Sequence, residues 1–380
     1  MEKIIFHISH TDIRSDSRIL REMSGAKKVG KCKTFGLGFE RDKSDYFTNF
    51  NTKFEIITKK MFCLKLKFLP STISYFFEVL ELSLYAVYFI IKIKPNIIHC
   101  HDVNPLPVVS FLSLFINFKI IYDAHELESN RNRLSKLNGK LVRFVEKLCW
   151  SRVTHFITVS DSIVKWYEEN FGKKRSTVIC NAPIFNADEM LGKIYEDYLR
   201  EKFSIPDESL IGIYVGLLDL GRGIQNLIQI YKNLDHNFHI VFLGYGELSS
   251  DLKNISKEFS NIHFHNKVNH DQVVPIISSA DLGFCLIENV SLSDYYSLPN
   301  KLFEYVNAGL YVISSDFPEI KSKLYKHKLG KTFDSNLSGL KNFLYENRVN
   351  LMNREDVSCP EEFSWSFHEK NLVALYSELI

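Results

Sequence analysis

Residues 293–319, SDYYSLPNKLFEYVNAGLYVISSDFPE, hold the groups of most evident chemical use in the chain. Pro299 suits the first turn of a helix, where a missing N–H costs nothing. Free amides at such a helix start, with Lys301 beside them, make an anion site suited to a diphosphate. Glu304 follows one turn later on the face of Asn300 and Lys301. A carboxylate there can accept hydrogen bonds from the two vicinal hydroxyls of a ribose. One short helix could thus hold both the phosphates and the sugar of a nucleotide. A capped surface helix with an i,i+3 Lys–Glu pair accounts for the same residues, and pattern alone leaves both readings open.

Two glycine loops in the same half end strands and open helices. Residues 215–223 read VGLLDLGRG, with Gly216, Arg222 and Gly223 placed to offer backbone amides and a guanidinium to phosphate. Residues 243–247, LGYGE, repeat the arrangement one unit later with Gly244 and Gly246. Turns require glycine for positive φ in any case, so each loop alone is weak and the three turns together are stronger. No full G-x-G-x-x-G follows the first strand and no G-x-x-x-x-G-K-[ST] occurs, which argues against a nicotinamide dehydrogenase or a P-loop enzyme.

In the first half, His99 and His101 lie at a strand end, and alternation along the strand is expected to let only one face a cleft. A satisfied structural histidine is the simpler account of either. The run Asp123-Ala124-His125-Glu126 looks like a catalytic cluster, yet it could equally cap a helix or line an acceptor. No Ser/His/Asp nucleophile arrangement and no metal-ligand spacing is visible.

The elements that must position these groups alternate between apolar β-branched runs and helical patterns, the signature of parallel sheets with crossover helices. Strands are expected at 3–8, 33–37, 97–100, 119–123 and 156–159, with helices at 17–28, 73–92, 138–148 and 161–171. A polar stretch with Asn181, Pro183, Asn186 and Asp188 places a domain boundary there, giving domains 1–188 and 189–361 with a closing helix at 362–380. Strands at 210–215, 239–243, 261–265, 281–287 and 311–314 follow, with helices at 224–233, 248–258, 272–278, 300–307 and 366–379 and a loop from about Arg354. No period of 20–50 residues repeats, so a solenoid is excluded. Two doubly wound α/β domains place the site in the cleft between them, at the carboxyl ends of strands.

The 380 residues, 45% apolar and 24% charged, fit two ordinary soluble domains and exclude fibrous, collagen-like and disordered classes. A net charge of +2 argues against nucleic acid, but residues 1–190 carry +9 and residues 191–380 carry −7. The seven cysteines are scattered without a C-x-x-C pair and read as buried packing thiols of a reducing compartment. The N-terminal apolar run is too short for a signal peptide. Residues 73–93 are apolar enough to raise a membrane span, but Glu78 and Glu81 interrupt them, and a buried helix is expected.

YVGLLDLGRGIQNLI, LGYGE and YYSLPNKLFEYVNAGLYVISSDFPE resemble the donor domain of GT-B glycosyltransferases, specifically glycosyltransferase family 4. DSRILREM, IIHCHD, IIYDAHE, FITVSDS and VICNAP are similar to that family's first half in the expected order, and FSWSFHEKNLVALYSEL to its closing helix. The resemblance covers essentially the whole chain. It implies an α/β fold of two Rossmann-like domains facing across a cleft, the first binding acceptor and the second donor, with the C-terminal helix crossing back to the first. It further implies that Glu304 holds the ribose, Arg222 neutralises the diphosphate, and His101 contacts the donor sugar near the reacting carbon. The family transfers sugar with retention, without metal or cofactor, the nucleotide-diphosphate sugar being a co-substrate. Asp12, Arg14, Asp102, His125 and Glu126 fall on the acceptor side.

Two departures stand out. Tyr296 occupies the place of a frequent first glutamate, and Leu217 that of a frequent arginine. Asp294, or amides around Ser297 and Leu298, are expected to hold the donor sugar instead. Basic residues gather at Arg14, Arg18, Arg21, Lys27, Lys28, Lys31 and Lys33, and again in KKMFCLKLKFL, residues 59–69. A solvated face accounts for each cluster alone; together they suggest peripheral contact with an anionic membrane. The resulting expectation is a cytoplasmic transferase at the inner face of the cytoplasmic membrane, acting on a glycan or polyprenyl-diphosphate-linked acceptor in surface polysaccharide assembly (capsule, O-antigen, lipopolysaccharide or exopolysaccharide). A nucleotide-sugar 2-epimerase and a catalytically silent sugar-nucleotide-binding homologue are the alternatives.

Overall fold

The structure, a computed structural model, describes residues 2–30, 32–40, 54–61, 71–184, 195, 197–353 and 359–380. It divides into two units, Met1–Cys180 with His368–Ile380, and Asn181–Phe367. The boundary expected at residue 188 and the loop expected from Arg354 lie outside the described residues, as do Lys31, Cys63 and residues 62–69 of the second basic cluster.

The first unit contains β1 (Lys3–Ile8), α1 (Ser17–Lys28), β2 (Cys32–Glu40), β3 (Glu55–Lys60), α2 (Ser71–Ile93), β4 (Ile97–His101), α3 (Leu106–Leu112), β5 (Lys119–Ala124), α4 (Lys136–Trp150), β6 (His155–Thr158), α5 (Asp161–Phe171) and β7 (Ser176–Val178). Its strands form one parallel sheet in the order β3-β2-β1-β4-β5-β6-β7. Runs such as Ile5-Phe6 in β1, Ile97-Ile98 in β4 and Ile120-Ile121 in β5 are buried, as a sheet covered on both faces requires. The chain enters α1 through Asp16, whose side chain accepts the amides of Arg18 and Ile19, both at 3.1 Å. Such a cap contributes about 1 kcal/mol.

The second unit contains α6 (Tyr198–Phe203), β8 (Leu210–Leu217), α7 (Ile224–Tyr231), β9 (Phe238–Tyr245), α8 (Ser249–Glu258), β10 (Ile262–Asn266), α9 (His270–Ile277), β11 (Leu282–Cys285), α10 (Leu292–Tyr295), α11 (Asn300–Asn307), β12 (Tyr311–Ser315), α12 (Pro318–His327), β13 (Gly330–Phe333) and α13 (Leu340–Met352). Its parallel sheet runs β10-β9-β8-β11-β12-β13. Tyr214, Ile240, Phe242, Leu282 and Phe284 form the middle of its core beneath α7. Each such side chain stabilises the unit by roughly 1.5–3 kcal/mol through burial. The last helix, α14 (Trp365–Leu379), belongs from His368 onward to the first unit. There Tyr376 bonds His99 Nδ1 at 2.7 Å, Lys28 pairs with Glu369 at 2.5 Å, and Lys119 Nζ donates to the Leu379 carbonyl at 2.6 Å.

In each sheet the strand order reverses once, between β1 and β4 and between β8 and β11. Loops leaving the carboxyl ends of such neighbouring strands diverge to opposite faces and leave a crevice, which is where ligands bind in open α/β sheets.

Three expectations need correction. Helix α2 is not buried: Ile73, Phe77, Leu80, Leu84, Tyr88 and Ile91 are exposed along one stripe, while Leu82, Ala86, Phe89 and Ile90 are buried on the other. An all-round apolar helix reads as interior from composition, because periodicity does not say whether a second face is covered. No helix among the described residues is long and apolar enough to cross a membrane. The first basic cluster is a solvated face only in part. Arg18 and Arg21 are buried and Arg14 pairs with Asp12 at 2.7 Å, whereas Lys27, Lys28 and Lys33 are exposed, the last pairing with Glu2 at 2.9 Å. Finally, Cys100, Cys149, Cys180 and Cys285 are buried, but Cys32 and Cys359 are only partly so.

Candidate functional site

The reversal of the second sheet gathers most of the residues singled out for a donor. Strand β8 ends at Gly216 and Leu217, and the loop returns through Gly221, Arg222 and Gly223 into α7. The Glu288 amide donates to the Gly221 carbonyl at 3.1 Å, tying this loop to the segment that leaves β11. Helix α11 starts at the same edge. Pro299 precedes it in extended conformation and no side chain caps its first turn. Tyr305 fixes the helix from beneath: its hydroxyl accepts the Val215 amide at 2.9 Å and donates to the Phe284 carbonyl at 3.3 Å. Gly283 makes room for that ring, since a Cβ there would stand 2.4 Å from Tyr305 Cγ.

Lys301 and Glu304 project from the same side of α11, as their spacing predicts. The Lys301 ammonium donates to the buried Tyr214 hydroxyl at 2.8 Å and lies 3.9 Å from that ring's centroid. Glu304 is largely covered, with His270 Nε2 at 3.9 Å. Asn300 Oδ1 accepts from Asn181 Nδ2 at 3.1 Å. The thiol of Cys285, the last residue of β11, reports how these groups converge. Burial pushes it up to about 11, Lys301 and Arg222 pull it down, and Glu304 pushes it up. Arg222, far along the chain from Lys301 and Glu304, thus comes near enough to the same strand end to act on its thiol.

Other members of the expected donor set have local structural work. Gly244 pairs with Gly216 across β9 and β8, and a Cβ on it would fall 1.9 Å from the Gly216 carbonyl oxygen. A Cβ on Gly246 would meet Asp219 Oδ1 at 2.4 Å, and Asp219 Oδ1 accepts the Glu247 amide at 2.9 Å. These two glycines are explained by one loop lying against the other, and a carboxylate already serves that turn. Asp294 Oδ2 accepts from Ser291 Oγ at 2.7 Å within α10, and the Ser297 amide donates to the Asp294 carbonyl at 3.2 Å. Leu298 is buried and Tyr296 is half-buried beside Tyr295.

At the reversal of the first sheet, strands β1, β4 and β5 bring His7, His99, His101 and Asp123 into one buried cluster with Arg18 and Glu22 of α1. The expectation that only one of His99 and His101 faces inward was wrong. Residues two apart on a strand share a face, and the two rings stack with centroids 4.4 Å apart. His7 joins the stack from β1 and bonds His101 through Nδ1···Nε2 at 3.0 Å. Arg18 donates to Asp123 Oδ1 at 2.8 Å and to the Ile179 carbonyl at 2.8 Å, with Glu22 Oε1 3.1 Å from its Nε. At the outer edge, partly exposed His125 places Nε2 3.3 Å from His101 Nδ1 and 3.1 Å from Asp123 Oδ2. Its Nδ1 lies 3.6 Å from Asp102, which also faces His10 at 3.9 Å. Asp12 and Arg14 pair with each other, and exposed Glu126 stands 3.8 Å from Arg131.

Charge in this cluster balances by proton placement. Burial drives His99 down to about 3 and His101 down to about 4, and holds His7 well below its ordinary range, so all three are neutral at pH 7. Burial and Asp123 push the Glu22 carboxyl well up, against the pull of Arg18. Burial opposes the charge on Asp123, but Arg18 and His125 hold it well below the usual carboxylate range. Burial would lower His125, yet Asp102 and Asp123 raise it to about 10, and His125 in turn holds Asp102 at about 2 against its burial. Two cations thus face two anions.

Histidine and carboxylate atoms of His7, His99, His101, Glu22 and Asp123 come close enough to hold a metal ion, all within 4.8 Å in their groups. Sequence spacing concealed this, because the donors come from three strands and a helix. The Arg18 guanidinium already occupies the Asp123 carboxylate, so the donor set suits an internal ion pair better than a divalent cation.

Two family models match in chain order. Residues 65–182 match Glycosyltransferase Family 4 and residues 196–338 match Glycosyl transferases group 1. The chain is 27% identical over 256 residues to chitobiosyldiphosphodolichol beta-mannosyltransferase of Candida albicans, covering 59% of this chain and about half (52%) of that relative. Among solved structures, sucrose-phosphate synthase from Thermosynechococcus elongatus superposes with TM-score 0.74 at 15% identity over 99% of both chains. HepE of Anabaena in complex with UDP-glucose gives TM-score 0.69 at 12% identity, again over 99% of both. At these identities the structures establish the fold alone.

Two outcomes follow from the buried cluster. Replacing Arg18 by Leu leaves Asp123 buried without its cation and should cost about 3–5 kcal/mol in urea denaturation; a loss below about 1 kcal/mol would show that the pair does not hold the strand ends. His125 has a folded pKa raised above its unfolded value, so its stabilisation is complete below pH 6.5 and fades as pH rises toward about 10. His125→Gln should therefore flatten the decline of the urea midpoint across that window, and a variant declining as steeply as the wild type would contradict the assignment.

Proposed function

Since the chain belongs to the GT-B glycosyltransferases, pairing a family 4 first half with a group 1 second half, we propose that it moves a sugar from a nucleotide-diphosphate sugar to a glycan or lipid-linked acceptor. The observation that carries this reading is the uncapped first turn of α11 with Lys301 and Glu304 on one side of it, at the sheet edge where the Gly221–Gly223 loop is tied by Glu288 to the segment that leaves β11. Amides of that turn and the two cations suit a diphosphate, and Glu304 suits the ribose. HepE of Anabaena in complex with UDP-glucose and the Candida chitobiosyldiphosphodolichol mannosyltransferase are in keeping with such a donor and acceptor.

On this reading the transfer is retaining and proceeds without metal. Fixed helix amides, Arg222 and Lys301 stabilise the charge that grows on the leaving phosphate, with no rearrangement needed at the moment of reaction. The departing phosphate oxygen then takes the proton of the acceptor hydroxyl. His101 is neutral and has no exposed surface. Its contribution is to hold His125, its hydrogen-bond partner at 3.3 Å, which stands at the edge of the cluster. An acceptor in cell-surface glycan assembly, expected from the family resemblance, belongs to the same reading.

A thermal-shift panel of UDP-, GDP-, ADP- and TDP-sugars tests the donor reading, because selective binding stabilises by RT ln(1 + [L]/Kd). One base class should raise Tm, and Glu304→Gln should weaken that donor by roughly ten- to a hundredfold, the worth of hydrogen bonds to a charged group. Unchanged affinity in the variant would remove Glu304 from the ribose. Incubation of the donor without acceptor, in chelator, should give only slow hydrolysis; interconversion of donor epimers would identify an epimerase instead.

A further inference from the structure

Lys301 and Glu304 stand on a helix of eight residues, and a helix that short keeps its orientation through its neighbours, not through its own stability. At about 100° per residue, the side of α11 that carries them is bounded by Tyr305 on one flank and by Phe303 with Asn307 on the other. Tyr305 ties the first flank to β8 and β11. The second flank is tied to a single 3₁₀ turn, Glu361–Phe363, just ahead of α14. Phe363 is buried against Phe303, their ring centroids 5.4 Å apart. Asn307 Nδ2 donates to two carbonyls at once, that of Phe303 at 2.7 Å and that of Phe363 at 2.9 Å.

The turn is itself anchored. Glu362 accepts from Lys326 Nζ at 2.7 Å, from His327 Nε2 at 2.6 Å and from Lys323, all three on α12. The His327 ring also meets Phe363 edge-on, centroids 6.0 Å apart. Asn307 is the informative residue. Burying an amide is unfavourable unless its bonds are made, and a leucine fills a similar space without that penalty. Among the described residues Asn307 Oδ1 has no hydrogen-bond partner, so the amide is retained for what Nδ2 joins, α11 to the turn. The chain passes between the two units at residues 180–181 and 367–368, and both passages reach this helix. Asn181, directly after the first, donates from Nδ2 to Asn300 Oδ1 at the start of α11. The second leaves from the turn that holds the helix end, and there the Trp365 amide donates to the Pro183 carbonyl at 3.2 Å.

We propose that Asn307 and Phe363 are positioning residues of the donor site, fixing the roll of α11 about its axis and with it the place of Lys301 and Glu304. The inference rests on the donor reading of those two side chains and names the residues that aim them. Side chains reach about 5–6 Å from a helix axis, so a roll of about 10° displaces their tips by about 1 Å. A misplacement of that size is enough to cost on the order of a hundredfold in rate.

Calorimetric titration of the full chain with UDP-, GDP-, ADP- and TDP-sugars, well below the Tm of each variant, tests it together with hydrogen exchange across α11. Asn307→Leu and Phe363→Ala should each raise the Kd of the sugar nucleotide that the wild type binds by roughly ten- to a hundredfold. Both should also speed exchange in α11. Phe363→Leu, which keeps an apolar contact with Phe303, should restore most of the affinity. Leu344→Ala, in the core shared by α7 and α13, should lower Tm and leave the Kd unchanged, which separates aiming from stability. Wild-type affinity in Asn307→Leu and Phe363→Ala would overturn the proposal, as would an equal loss in Leu344→Ala. If the wild type binds none of the four sugar nucleotides, faster exchange confined to α11 in the two variants would uphold their hold on the helix while the donor reading fell. Exchange as in the wild type would then overturn both.

Discussion

The first unit depends on one buried cation. Arg18 reaches from α1 to Asp123 on β5 and to the carbonyl of Ile179 beyond β7, so a single side chain ties a helix, a central strand and the far edge of the sheet. Burying a guanidinium and a carboxylate is costly, several kcal/mol for each ion, and is offset only when partners are complete. The surroundings complete them by giving up charge elsewhere. Burial favours the protonated form of Glu22 and keeps three stacked imidazoles neutral, so few charges besides the central pair stand in the low-dielectric interior. His125 and Asp102, at the more exposed edge, carry the second pair. The polar residues of the motif IIHCHD are therefore first of all a charge-balanced core for the strand ends.

The two sheets treat equivalent positions in opposite ways. At the reversal of the first, side chains from β1, β4, β5 and α1 fill the crevice with their own hydrogen bonds. At the reversal of the second, the helix that could fill it is held from below by Tyr305, and its first turn is left without a side-chain cap. Orphan amides at a helix start are tolerated where solvent or a ligand satisfies them. Rigid support beneath and unsatisfied donors above are what a preorganised anion site needs, since reorganisation then adds nothing to the barrier.

Much of this was legible in the residues. Parallel strands covered on both faces appear as short apolar runs, and β1 and α11 fall where those runs and Pro299 predict. Glu55–Lys60 was missed because an edge strand reads EIITKK, half polar, and Ser176–Val178 and Gly330–Phe333 are too short to show a period. Pro318–His327 and Leu340–Met352 were missed for want of an obvious apolar face. The site was legible as motifs but not as a constellation. Spacing placed Lys301 and Glu304 together on one helix; only the fold brings Arg222 to them. The same limit hid the histidine cluster, whose members are near neighbours across strands and distant along the chain. Gly244 and Gly246 show that a glycine pattern has more than one cause, since the close approach of a neighbouring loop requires both of them whatever the loop binds.

Net charge misleads in a related way. The first 190 residues carry an excess of nine positive charges and the remainder an excess of seven negative ones. The negative half nevertheless holds the residues suited to a diphosphate. Screening explains how both are compatible: beyond roughly 8 Å at physiological salt, distant surface acids contribute little, whereas Arg222, Lys301 and helix amides act at contact distance. In the positive half the most conspicuous run of cations in the sequence is partly spent inside: Arg18 and Arg21 turn inward, and Arg14, Lys28 and Lys33 pair with Asp12, Glu369 and Glu2. The unpaired excess instead accumulates on α4, where the only acid is buried beneath the helix. A charge sum therefore does not locate the residues suited to an anion; their place follows from which side chains the sheet order leaves outward and which it folds in.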